Sequence, residues 1–191
     1  MNSRQSSAAV VLGLAVFVAA ASNTLAQTGP ETFAGTATVK TASNATATAP
    51  VTIVVDRKMS QKEADGLLAA FKSGGAAALR KALDGVKPTG SVTLGGGKPT
   101  PSRLTLERVT DKGRLLTIVC DKPILFLGAG VQEAKPKEGY DFAVLDLEVD
   151  ASGKGSGTLA PAAKVGLKGD AFVVEDYGVE AIRLTAVQKK S

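Results

Sequence analysis

Residues 114–121 read RLLTIVCD (Arg114–Asp121) and residues 142–149 read FAVLDLEV (Phe142–Val149). Both runs are short, rich in aliphatic and β-branched residues, and flanked by turn residues, so both are expected to be strands. Side chains alternate between the two faces of a strand. A sheet covered on one side therefore alternates apolar with polar. Val51–Val55 (VTIVV), Leu115–Cys120 and Phe142–Val149 instead carry apolar residues on both faces. Such strands need cover on two sides, and the chain offers only one pair of short helices. Closing the sheet gives one face an interior and removes open edges. The expected fold is mostly β (α+β): an antiparallel β-barrel or barrel-like sheet of about 8–10 strands with a short helical hairpin after the second strand. The same pattern leaves open a two-layer sheet packed on two helices, or a two-sheet sandwich.

Further strands are expected at Phe33–Lys40, Val51–Asp56, Ser91–Leu94, Arg103–Val109, Ile124–Leu127, Thr158–Val165, Phe172–Glu175 and Ile182–Val187. The small polar segment Thr41–Ala49 reads as a loop or a worn strand end. Gly95-Gly96-Gly97 and Thr110-Asp111-Lys112-Gly113 read as hairpin tips, residues 128–139 as a long loop, and Asp150–Gly155 as a turn. No βαβ alternation and no repeat period is present.

The helical segment has clear ends. Ser60-Gln61-Lys62-Glu63 is a capping box, in which the Ser hydroxyl and the Glu carboxylate each accept the other's backbone N–H. Ala64, Leu67, Leu68 and Phe71 follow at helical spacing and form one apolar stripe. Gly74-Gly75 ends this helix, and Ala76–Leu83 makes a second with Leu79, Ala82 and Leu83 apolar. Such a pair cannot stand alone and must cover a sheet or a barrel mouth.

Residues 1–26 read as a cleaved secretory signal peptide. Arg4 supplies the positive start, Ala8–Ala21 is uncharged and apolar, and Thr24-Leu25-Ala26 fits a cleavage site. A spanning helix needs about 20 apolar residues, so this run is short for a permanent anchor. Residues 27–191 then form a single β-rich domain, placed in the periplasm or outside the cell, with no integral membrane segment after cleavage.

Composition removes much chemistry. The 191 residues include no His, no Trp and one Cys, with 44% hydrophobic and 4% aromatic residues and a net charge of +5. Without His the commonest general base and transition-metal ligand are missing. One Cys makes neither an internal disulfide nor a zinc cluster, and Cys120, between apolar neighbours, is expected to be buried. Gly95–Lys98 lacks the spacing of a phosphate loop, and Gly128-Ala129-Gly130 lacks the third glycine of a dinucleotide fingerprint. Asp146, Glu148 and Asp150 share one strand face. With Leu145, Leu147 and Val149 opposite, they read as a solvated outer face rather than a metal or glycosidase site. The basic residues are scattered, so no nucleic acid partner is expected. No cofactor and no catalytic or metal residue is expected, and the chain is not read as an enzyme.

Tyr140–Val165 (YDFAVLDLEVDASGKGSGTLAPAAKV) and Glu175–Val187 (EDYGVEAIRLTAV), with the capped helix EADGLLAAFKSGG and the helix RKALDGV, resemble a family of small exported bacterial proteins of unknown function. The likeness covers most of residues 31–188. It implies export and a single β-rich domain, and it carries no assigned activity and no site residues.

The expected function is an exported module that passively binds a small apolar ligand, aliphatic or isoprenoid, in a barrel interior or under the helical lid. The candidate lining residues are Leu67, Leu68, Phe71, Leu79 and Leu83. The alternative is a structural or interaction protein of the cell envelope without a ligand, and a His-free enzyme ranks last. Oligomeric state is not legible.

Overall fold

The computed structural model describes residues 29–40, 46–124, 138–169, 171–177 and 181–191. The signal segment 1–26, most of the loop expected at 128–139 and all but the first residue of the strand expected at Ile124–Leu127 lie outside them. Nine strands and one interrupted helix follow in the order β1 (Glu31–Lys40), β2 (Thr46–Val55), α1 (Gln61–Asp84), β3 (Gly90–Leu94), β4 (Thr100–Thr110), β5 (Gly113–Cys120), β6 (Phe142–Val149), β7 (Lys154–Lys168), β8 (Ala171–Tyr177) and β9 (Ile182–Lys189).

Every pairing is antiparallel. Strands β1 to β6 form a meander. The first part of β7 pairs with β6 on one edge and β9 on the other, and β9 pairs with β1, so eight strands close into a barrel. Strand β8 stands outside the ring, paired along Ala163–Lys168 of β7. The barrel expected from two-sided apolar strands is therefore the one that forms, and the helical element follows the second strand.

The wall separates two clusters. Inward residues such as Phe33, Ile53, Val92, Leu116, Leu145 and Leu184 are buried in one continuous core fed by β1, β2, β3, β5, β6, β7 and β9. Strand β4 instead turns Ser102 and Thr105 to the side shared by their partners Cys120 and Ile118. Their hydroxyls are satisfied by Thr89, whose Oγ1 accepts from Thr105 at 2.9 Å and lies 3.1 Å from Ser102 Oγ. The second cluster lies outside the wall, where Leu67, Leu79 and Leu83 of α1 pack on Leu104, Val119, Phe142 and Val144. This explains the two-sided apolar runs: Leu145 faces the interior while Val144 faces the helix. The helix covers the flank of the barrel rather than its mouth.

Helix α1 starts as its sequence dictates. Ser60 Oγ accepts the Glu63 N–H at 3.3 Å, and Glu63 Oε2 accepts the Ser60 N–H at 2.8 Å. Gly74 and Gly75 break it into two halves; Gly75 has φ 63° and ψ −153°, a region open essentially to glycine alone.

Three local differences from the sequence reading have physical causes. Of the two readings of Thr41–Ala49, Thr46–Ala49 takes the strand one and extends it fully, because it pairs residue by residue with Ala37–Lys40. Pro50 sits inside β2 without loss. Its carbonyl accepts the Gly95 N–H at 2.8 Å, so its missing N–H falls on the β3 edge just beyond the last ladder pair, Val51 with Leu94. Strand β7 is longer than the expected Thr158–Val165 because its two ends serve different partners, β9 and β8.

Candidate functional site: a groove between helix, barrel wall and the β7–β8 ribbon

Two places outside the apolar core concentrate polar groups. The first is a charged cluster at the barrel end where β1 begins and β9 finishes. Glu31 has a side chain only 1% exposed, yet it is ionised among cations. Arg114 reaches its two oxygens at 2.6 and 2.9 Å, Lys189 lies at 3.0 Å and Lys58 at 3.7 Å. Glu107 joins through Arg114 at 2.8 Å and Lys58 at 2.5 Å. Lys58 Nζ is thus matched in charge, although its angles make no well-directed hydrogen bond. The Arg114 guanidinium also sits 5.9 Å from the centre of the Phe33 ring. Burial alone would raise the Glu31 pKa. Hydrogen bonds from Arg114 and Lys189, with the charges of Arg114 and Lys58, overcome this and hold it at about 2. Every charge in the cluster is answered by another from the same chain, so it closes the barrel end rather than offering a free group.

The second place is a groove of about 200 Å³ outside the wall. Its floor is Leu104, Val119 and Val144 of the barrel, with Leu79 and Leu83 of α1 along one side. Beyond Ala163 the β7–β8 ribbon continues past the barrel and forms the other side through Val165, Phe172, Val174 and Tyr177. The ribbon is fastened to α1 by an edge-to-face contact of Phe172 with Phe71, ring centres 5.8 Å apart. Tyr140 also donates a hydrogen bond to Asp176.

The polar residues among the described lining are Thr117, Asp146 and Tyr177. Thr117 and Asp146 are cross-strand partners, one pair further along than Val119 and Val144. The Thr117 hydroxyl donates to Asp146 Oδ1 at 2.6 Å. The groove thus runs from apolar walls to a carboxylate held in a fixed orientation.

Of the five lining residues expected from sequence, Leu79 and Leu83 line this groove. Leu67 is buried in the same outer cluster, and Phe71 supports the groove from behind through Phe172. Leu68 is half-buried and belongs to neither cluster. Val144, Val165 and Val174 were not foreseen as lining, although the outward apolar position of Val144 in FAVLDLEV was their one sequence signal. The three carboxylates of that face have separate roles. Asp146 lines the groove, and Glu148 accepts from Thr110 Oγ1 at 3.1 Å and lies 3.9 Å from Lys112. Asp150 ties the following turn through the backbone N–H groups of Ser152 and Lys154.

Among the described residues no group of three or more potential metal ligands comes together, and no helix is long and apolar enough to cross a membrane. No protein-family profile, curated protein sequence or solved structure matches the chain.

Proposed function

We propose that this protein is an exported, non-catalytic binding module that holds a small apolar molecule in the groove under α1. The observation that carries this reading is the groove itself, a mostly apolar recess bounded by helix, barrel wall and the β7–β8 ribbon, with Thr117, Asp146 and Tyr177 as the polar residues among its described lining. Ligand sites have this composition: mostly apolar lining with a few placed polar groups. An apolar cavity of about 150 Å³ is enough to take up benzene, so about 200 Å³ suits one ring or the end of an aliphatic chain. Binding is passive, driven by burial of ligand carbon at ~25 cal/mol per Å². The inward side chains already pack on one another in the barrel, which supports a ligand position outside the wall.

Titration with toluene, followed by the shift in melting temperature, tests the reading. Toluene should raise the melting temperature of the native chain, and Val144→Phe, which fills the floor, should abolish the response while leaving the fold intact. No response in the native chain would leave the envelope structural protein in its place, a reading favoured by the well-packed barrel core. Export is tested separately: N-terminal sequencing of the secreted form should begin at Gln27, and retention of Met1 would refute cleavage.

A further inference from the structure

We infer that the groove selects a small organic cation, an alkyl or aryl-alkyl ammonium whose apolar body fills the recess while its nitrogen meets Asp146. This rests on the ligand-binding reading above and adds the chemical class of the ligand. Among the described residues that line the groove, Asp146 is the only one with a formal charge, and none is Lys or Arg. Its carboxylate accepts one hydrogen bond among the described residues, from Thr117 to Oδ1, so Oδ2 is available to a donor from the ligand. That bond also fixes the plane of the carboxylate, so little orientation is lost on binding.

The walls favour the same charge. Phe172 and Tyr177 place two aromatic rings along the ribbon side, and aromatic faces attract ammonium groups. An anion would meet the exposed Asp146 carboxylate beside the apolar lining and be repelled, with solvent screening part of the effect. A neutral ring would gain only the burial of its carbon. The ligand's size stays bounded by the recess at about one ring, which rules in benzylamine-sized molecules and excludes bulky polycations from full entry.

Three matched probes separate the possibilities at pH 7: toluene, benzylamine and benzoate, titrated into the native full chain by calorimetry. Benzylamine should bind about fivefold tighter than toluene, as one partly solvated ion pair gives, and benzoate should bind most weakly. Asp146→Asn should bring benzylamine down to that variant's own affinity for toluene. Equal binding of all three, or preference for benzoate, would overturn the cation inference while the binding reading stands. Failure of all three would overturn both. Loss of toluene binding in Asp146→Asn would show that Asp146 shapes the groove rather than selecting charge, and would also overturn the inference.

Discussion

Arg114 and Glu31 are 83 residues apart in sequence and form a two-oxygen ion pair at 2.6 and 2.9 Å, roofed over the Phe33 ring at one barrel end. The pair ties the first strand to the fifth across the barrel mouth, and Lys58, Lys189 and Glu107 surround it in a cluster of three cations and two carboxylates. Without Arg114, Glu31 keeps Lys189 and Lys58 but loses its two charge-assisted hydrogen bonds, which costs about 1.5–3 kcal/mol. Arg114→Ala should destabilise by that order in urea melts, and a change near zero would show that the pair is solvated.

The same cluster sets an acid limit. The folded pKa of Glu31 is about 2, below its ordinary value of 4.5, so the folded state holds the charged form more strongly than the unfolded chain. Its contribution is complete above pH 4.5 and is lost as pH falls from there towards 2. A shift of this size corresponds to about 3 kcal/mol. Glu31→Gln should therefore flatten the stability profile between pH 5 and 2, measured by urea midpoints at each pH.

The closing seam between β6 and β7 depends on small residues. A Cβ at Gly155 would collide with the Glu148 carbonyl oxygen, and one at Gly157 with that of Asp146. Gly155→Val should force the seam apart and cost about 3 kcal/mol or more. An unchanged melting temperature would mean that the strands can separate there without loss of the barrel.

Ala186 has φ 49° where β9 shifts register against β1 and β7. This left-handed conformation costs an alanine about 1 kcal/mol that glycine avoids. Ala186→Gly should hold or raise stability, the reverse of the usual effect of glycine in a strand. A loss of more than about 1 kcal/mol would contradict the bulge geometry.

Cys120 faces the barrel interior at 1% exposure, and burial pushes its thiol up to about 12, with Asp121 adding to the shift. Thiol reagents act on the thiolate. Native labelling at pH 8 should be slow and follow global unfolding, while labelling in urea should be fast. Rapid native labelling would place the thiol outside the wall.

Ser60→Ala removes the N-cap of α1 and should cost about 1 kcal/mol.

The local pattern was enough for much of this architecture. Strand β6 begins and ends at Phe142 and Val149 as the sequence implies, and the capping box and the Gly74-Gly75 break mark the helix unaided. Periodicity, caps and turns act over a few residues, so they are written locally. Closure was also inferable, because Val144 and Leu145 are neighbours that both need burial on opposite faces. The sequence could not say which partners do the burying. Tertiary structure alone decided that α1 lies on the flank of the barrel, that β8 leaves the ring to wall a groove, and that Asp146 lines it while Glu148 and Asp150 serve other contacts. It alone brought Glu31 to Arg114. Those choices depend on the stagger of strands and on pairing between distant segments, and a side chain's neighbours across a sheet are set by register rather than by the residues beside it in the chain.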